Sequence, residues 1–145
     1  MDFGSAMKIS ASGLTAHRTW MNVLSSNLAN AHVTKTEAGT PYERKTVIYE
    51  SVPFAEQLIE SLDEVPGEEL ERVEVREVVS DRREFKKIHD PSHPDADDQG
   101  VVQMPNINPI EEMANLLMAS RSYEANLAAL NTAKQMALKA MDIGK

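Results

Sequence analysis

The sequence predicts a mainly α-helical chain with a small β insertion, whose long N-terminal and C-terminal helices pair as an antiparallel, coiled-coil-like layer. Two observations lead to this prediction: apolar residues recur at helical spacing at both ends, and the spacing becomes alternating and strand-like between them. We therefore expect three segments. These are an N-terminal helix in residues 1–36, a central β-hairpin-like module in residues 37–106, and a C-terminal helix in residues 107–145.

The N-terminal helix is predicted from Phe3 to about Asn30, with two apolar stripes. The first stripe is a heptad seam formed by Met7, Leu14, Met21 and Leu28, with Ser10, His17, Leu24 and Ala31 between them. The second stripe consists of Ile9, Ala16, Trp20 and Val23. Because one partner helix cannot cover both stripes, we expect the first to meet the C-terminal helix and the second to meet another molecule. Gly13 costs about 1 kcal/mol in a helix, which is tolerable where another backbone approaches closely.

The C-terminal helix is predicted from Pro109 to Lys145, a length of roughly 50 Å. Asn108 suits the N-cap and Pro109 the first helical position, while Glu111 and Glu112 favour the positive end of the helix dipole. The expected apolar stripe comprises Met113, Leu116, Tyr123, Leu127, Leu130, Ala137 and Met141, widened by Leu117, Ala128 and Leu138. A stripe this wide and rich in Ala and Met is typical of packed core.

Three short strands are predicted in the central module, from Thr46 to Val52, from Arg72 to Val79 and from Glu84 to Ile88. Between the first two, the acidic stretch from Glu60 to Leu70 indicates a loop, although Phe54 to Leu62 also fits a short helix. Three such strands form a module that is marginally stable by itself.

Composition and charge exclude several functional classes. The net charge is −8, and residues 50–98 alone carry −10, which argues against nucleic-acid binding and leaves either a solvated surface or a docking site for a basic partner. Cysteine is absent, so neither a disulfide nor a thiol nucleophile is expected. No apolar run approaches the length of a membrane span, and the first residues lack a cleavable Sec-type signal. Export would therefore need a specialised route.

Candidate catalytic chemistry is sparse. The one candidate metal site is a set of two histidines and three carboxylates: His89, His93, Asp95, Asp97 and Asp98. Pro91 and Pro94 prevent the regular helix that would place both imidazoles on one face, so we favour a rigid, proline-punctuated turn. The sequence also lacks a glycine-rich phosphate loop. We therefore predict no enzymatic activity, no cofactor and no metal.

Several motifs resemble those of bacterial flagellar rod and hook proteins. The N-terminal signature is carried by Ser12–Arg18 and by Met21–Ala31 with Thr34, and the C-terminal signature by Glu112–Met113 and Ala119–Asn126. Between them, Asp90–Asp97, Gly100 and Pro105–Asn108 resemble the proximal rod members of that family, and the short chain agrees with them.

This resemblance implies a structural subunit of the flagellar basal-body proximal rod, which self-assembles helically and transmits motor torque to the hook and filament. It also implies export through the flagellar type III apparatus without signal-peptide cleavage, and assembly in the periplasm. The expected partners are copies of this chain, other rod proteins and the export apparatus, with no nucleic acid and no membrane span.

The expected assembly residues all lie on the two terminal helices. They are Leu14, Trp20, Met21, Leu24, Asn27, Leu28, Asn30, Met113, Leu117, Tyr123, Asn126, Leu127, Leu130 and Met141. Asn27 and Asn30 either mark the end of a helix or form polar pairs that fix the register, and we favour the register-fixing interpretation. Asn126 invites the same two interpretations. Two other classes of protein stay open, namely a monomeric helical-hairpin adaptor and a small metal-dependent enzyme around His89 and His93.

Overall fold

The computed structural model describes residues 3–53 and 71–143. In chain order the elements are α1 (Phe3–Ala29), β1 (Lys45–Pro53), β2 (Glu71–Ser80), β3 (Lys86–His89), β4 (Val101–Met104) and α2 (Pro109–Ile143). The two terminal helices and the first three strands confirm the prediction, whereas β4 was not predicted. The expected loop or short helix between residues 54 and 70 lies outside the described residues.

Local hydrogen bonds explain where both helices stop or start. At the start of α2, the Asn108 side chain accepts a hydrogen bond from the Ile110 N–H at 3.3 Å, which confirms Asn108 as the N-cap. At the end of α1, the Asn30 side chain donates to the Ser26 carbonyl at 2.8 Å. Asn30 therefore has the helix-end role rather than a cross-helix one.

The four strands form two separate two-stranded sheets, β1 with β2 and β3 with β4. The single three-stranded module expected from the sequence is therefore wrong in this detail. Strands β3 and β4 are antiparallel, with Lys86 opposite Met104 and His89 opposite Val101. The β1–β2 pair is closed at its base, where the Asp81 N–H donates to the Arg44 carbonyl at 2.7 Å.

The described chain divides into two compact units. Unit 2 comprises Trp20–Val47 and Val78–Met118. It contains the β3–β4 sheet, the end of α1 and the start of α2. Its apolar core is formed by Val23, Leu24, Ala31, Val102 and Ile107.

Unit 1 contains residues 3–19, 48–53, 71–77 and 119–143 of the described chain. Only Ala16 and Ala119 are buried among those residues. Many of its large apolar side chains remain exposed, including Met136 at 58% and Met141 at 62%. In neither described stretch is a helix both long and apolar enough to cross a membrane.

Candidate functional site

The most enclosed polar side chain in unit 2 is Asn27, on the last turns of α1. It is fully buried and donates to the Lys45 carbonyl at 2.8 Å and to Glu112 Oε2 at 3.0 Å. Its carbonyl oxygen accepts from the Lys45 N–H at 2.9 Å and from the Tyr42 hydroxyl at 3.3 Å. Every polar atom of the amide has a hydrogen-bond partner, so its burial does not incur the free-energy cost of an unsatisfied polar group. Asn27 thus joins α1 to the first residue of β1 and to α2.

Glu112, on the first turn of α2, is 1% exposed. Its other carboxylate oxygen accepts a hydrogen bond from Arg44 Nε at 2.7 Å. The Arg44 guanidinium also lies 3.4 Å from the Asp81 carboxylate. A buried charge is tolerated only when it is paired and hydrogen-bonded, and Glu112 meets both conditions.

Asp81 and Asn106 complete this arrangement at the base of the β1–β2 sheet. Hydrogen bonds from Arg83 lower the pKa of the Asp81 carboxyl, and the nearby Arg44 charge lowers it further. The Asn106 amide donates to the carbonyls of Asp81 and Arg83 at 2.8 and 3.0 Å, and accepts from the Arg44 N–H at 2.9 Å. We refer to Asn27, Arg44, Asp81, Asn106 and Glu112 as the polar network. It fastens the two terminal helices and the base of the sheet to one another within unit 2.

The predicted assembly residues fall into three groups by burial. Leu24 and Asn27 are buried. Leu14, Trp20, Met21, Leu28, Asn30, Tyr123, Asn126 and Leu130 are half-buried. Met113, Leu117, Leu127 and Met141 are 41–62% exposed. The exposed group leaves apolar surface on α2 uncovered in the single chain, whereas Leu24 and Asn27 belong to its buried interior.

The assignment of the two α1 stripes needs correction. The second stripe was expected to contact another molecule, yet its residues Ala16 and Val23 are buried within the single chain. On the same side of the helix, a Cβ added at Gly13 would lie 3.2 Å from the Asn126 side-chain nitrogen. A close neighbour at Gly13 is therefore present as predicted, but it is an α2 side chain and not the backbone that we expected. The stripe that faces α2 includes the small residues Gly13 and Ala16. A pattern of large apolar residues does not reveal such positions.

The stripe on α2 is also shifted from its predicted position. Eight of its buried or half-buried positions recur at alternating steps of four and three residues: Glu112, Leu116, Ala119, Tyr123, Asn126, Leu130, Ala133 and Ala137. Pro109, Asn115, Ser120 and Ser122 are also half-buried and lie beside this row. Leu116, Tyr123, Leu130 and Ala137 were predicted correctly. The other predicted positions are exposed, namely Met113, Leu127 and Met141 and the widening positions Leu117, Ala128 and Leu138. Polar residues occupy two of the sheltered positions because of specific neighbours: Glu112 bonds Asn27 and Arg44, and Asn126 lies beside Gly13.

Sequence reasoning missed most of the polar network. Arg44, Asp81 and Asn106 were not singled out as site residues, and Glu112 was assigned only to the helix dipole. The signal that was present was indirect, since Asn106 and Glu112 both fall within motifs that resemble the rod family. Charged residues are rarely buried, so composition alone favoured a solvated position for each of them.

The segment with the candidate metal ligands forms a network of turns. Asp90 accepts hydrogen bonds from the backbone N–H and hydroxyl of Ser92, and Asp97 accepts from the backbone N–H groups of Gln99 and Val101. The interpretation as a proline-punctuated turn is confirmed. Within residues 3–53 and 71–143, no group of three or more His, Cys, Asp or Glu residues is placed to hold a metal ion.

Family models match the two helical ends of the chain, and known proteins align with it over nearly its full length. The family model described as "Flagella basal body rod protein" matches residues 7–35, and "Flagellar basal body rod FlgEFG protein C-terminal" matches residues 98–143. The chain is 39% identical to flagellar basal-body rod protein FlgC of Bacillus subtilis over 97% of both chains. It is 43% identical to FlgC of Aquifex aeolicus over 94% of this chain and 92% of the relative, and 37% identical to FlgC of Salmonella typhimurium over 94% of each.

Two long terminal helices that carry both rod matches define the class, which is that of the bacterial flagellar rod proteins. Its members are structural proteins. At 37–43% identity over nearly the whole length, the chain belongs to the FlgC family of flagellar basal-body rod proteins. It is a structural subunit of the flagellar basal-body rod, and it assembles there with other basal-body proteins. The resemblance found in the sequence is thus confirmed.

Proposed function

We propose that this chain is a subunit of the proximal part of the rod, where copies assemble helically with other rod proteins and transmit motor torque to the hook and filament. Family membership supports the location, and the exposed apolar side chains of α2 support the assembly. Met113, Leu117 and Leu127 are each more than two-fifths exposed in the single chain. Burying such side chains between molecules stabilises an assembly by about 25 cal/mol per Å².

The single observation that carries the proposal is the buried hydrogen bond between the two terminal helices, from Asn27 to Glu112. A torque-bearing subunit needs helices that cannot slide along one another, and a buried polar pair resists sliding because a shift leaves both groups unpaired. Sliding α2 by one heptad would bring Glu112 opposite the indole of Trp20, which cannot replace both Asn27 and Arg44. Asn27 therefore takes the register-fixing role.

We propose that α1 and α2 pair in one antiparallel, coiled-coil-like register. From Gly13 to Asn27 the chain advances two heptads, and from Glu112 to Asn126 it also advances two heptads. Gly13 faces Asn126 and Asn27 bonds Glu112, so both contacts fit the same antiparallel alignment. The alternating steps of four and three along α2 support the same pairing.

The division into an N-terminal axial helix (1–36), a central module (37–106) and a C-terminal axial helix (107–145) is part of this proposal. It is supported by the positions of the elements, because all four strands lie within the middle segment. We also propose export through the flagellar type III apparatus and assembly in the periplasm, which membership of the rod family supports.

Two measurements test this function. A cryo-electron map of isolated basal bodies should place the chain in the rod segment nearest the motor, and its location outside the rod would contradict the proposal. The register is tested by disulfide formation in the chain, which has no cysteine of its own. Ala16→Cys with Tyr123→Cys should cross-link within one chain. The matched pair Ala16→Cys with Leu130→Cys should not, because it lies one heptad, about 10 Å, out of register. Equal yields would contradict a fixed register.

A further inference from the structure

The outer edge of β3 is exposed. All four of its residues are solvent-exposed, and among the described residues β3 pairs only with β4. An uncovered strand edge presents backbone groups to other molecules, and lysines commonly protect such edges. Lys86 and Lys87 fit that protective role, but the charges around them are arranged more specifically.

The strand begins in a basic segment. Residues 82–87 carry a net charge of +3. Arg83 pairs with Asp81, and the Lys86 ammonium donates to the Ile107 carbonyl. Arg82 and Lys87 are exposed and form no ion pair with any residue in the described part of the chain. This end of the β3–β4 sheet therefore presents uncompensated positive charge.

The other end of the same sheet is acidic. Residues 90–98, in the turn between β3 and β4, carry a net charge of −4 with neutral histidine. Asp90, Asp95 and Asp97 accept hydrogen bonds only from neutral groups, and none of the turn carboxylates pairs with a Lys or Arg in the described residues. Asp98 is exposed.

The two charged ends are too far apart to neutralise one another. Lys87, the basic residue nearest the turn, is three steps of extended strand from Asp90, a distance of roughly 10 Å. That exceeds the Debye length of about 8 Å at physiological salt. Each end is therefore available to a separate molecule, and the two ends are complementary to one another in sign.

We propose that the β3 edge, with Arg82, Lys86 and Lys87, docks the acidic turn of a second copy of this chain. Such a contact is head to tail, because different surfaces of the two copies meet, and repeated head-to-tail contacts build an open helical array. The proposal rests on the proposed function, since copies in a rod are held next to one another.

Cysteine cross-linking in assembled basal bodies tests the contact directly. Two differently tagged copies, one with Lys87→Cys and one with Asp98→Cys, are expressed together and treated with a short bismaleimide. A cross-link between the two tags is expected. The matched control replaces Asp98→Cys by Glu77→Cys, an exposed carboxylate position on β2 outside the turn, and should give a clearly lower yield because the proposed contact does not bring position 77 beside position 87.

Charge reversal then tests the electrostatic cause. Lys87→Glu alone and Asp98→Lys alone should each reduce association of the copies about fivefold, the equivalent of one exposed ion pair. The two changes in the same chain should restore it, because every contact then pairs the same two charges with their positions exchanged. Failure of this rescue would overturn the proposal.

The same samples separate the two proposals from one another. Two outcomes overturn the docking contact alone, and in both the tagged chain is present in the basal body. In the first, the Lys87–Asp98 cross-link does not exceed the control. In the second, Asp98→Cys is linked to a different basal-body protein. Absence of both tagged copies from basal bodies overturns the proposed function and the docking contact with it.

Discussion

Unit 2 and unit 1 differ sharply in how their residues are buried. Twelve of the described residues are buried, and ten of them belong to unit 2, including the polar side chains of Asn27, Asn106 and Glu112. Unit 1 buries only Ala16 and Ala119, although it contains more than half of each terminal helix. The same two helices therefore belong to a closed core at one end and remain open at the other.

The two parts of each helix therefore differ in role. In unit 2 the helices are tied by hydrogen bonds and an ion pair to segments distant in sequence, so this region can determine the fold of a single chain. In unit 1 the helical residues contribute small buried groups and exposed methionines and leucines, which a single chain leaves in contact with water. Surfaces of that kind are stabilised when neighbouring molecules cover them.

The largest expected effect is on amide hydrogen exchange in a dilute, verified monomer. Protection is expected in unit 2, where α1 from Trp20 to Ala29 and β4 should exchange only by global unfolding, at about 5–15 kcal/mol. Residues 3–19 and 119–143 should exchange by local opening at a much lower free-energy cost than unit 2, because they bury little surface and isolated helices are marginal in water. Strong protection across both helices in unit 1 would show that unit 1 is as stably folded as unit 2 in the single chain.

A charge placed in each unit should separate folding from assembly. Leu24→Asp puts an unpaired carboxylate at a position that is 2% exposed, which costs several kcal/mol and should unfold unit 2. Leu127→Asp changes a position that is 41% exposed, so the free energy of unfolding should change by less than about 1 kcal/mol.

Both variants should nevertheless abolish rod assembly and motility, Leu24→Asp through the fold and Leu127→Asp through the lost apolar contact between molecules. Thermal unfolding of the purified chains and swimming assays distinguish these routes. Normal motility with Leu127→Asp would show that the exposed face of α2 is not an assembly surface.

The sequence predicted the elements far better than it predicted their contacts. Both helices were found because their apolar periods run over many turns, and β1 and β2 because their residues alternate. β4 was missed because Val101–Met104 is only four residues long and is followed at once by Pro105. The contacts of Glu112 could not be predicted, since they depend on partners 68 and 85 residues away and on a carboxylate that ordinarily faces water.

Loss of the buried carboxylate should have the next largest effect. Glu112→Ala leaves Arg44 without its closest partner and deprives Asn27 of an acceptor, which should destabilise the chain by about 3–5 kcal/mol. Glu111→Ala, one residue earlier and exposed, is the matched control and should change stability by no more than about 0.5 kcal/mol. Denaturant unfolding of both variants measures the difference. Similar midpoints would show that the polar network does not hold unit 2 together.

The smallest expected effect concerns two glycines in unit 2 that share an unusual backbone conformation. Gly39 and Gly100 have φ angles of +80° and +72°, so an Ala at either position incurs the strain of a left-handed residue, about 1 kcal/mol. Only at Gly100 does the new methyl group also meet neighbours, with Pro91 Cγ at 2.9 Å and His89 Cε1 at 3.1 Å, whereas nothing lies within 4 Å of the corresponding position at Gly39.

We therefore expect Gly39→Ala to cost about 1 kcal/mol and Gly100→Ala about 2–3 kcal/mol, because crowding adds to the same backbone strain. Equilibrium unfolding gives both values, and their difference isolates the crowding inside the turn between β3 and β4. That turn presents the acidic residues of the proposed contact between copies, so Gly100→Ala should also lower the Lys87–Asp98 cross-link while Gly39→Ala leaves it unchanged. Equal losses of stability would mean that the turn relaxes around the added methyl group and is not held by Pro91 and His89.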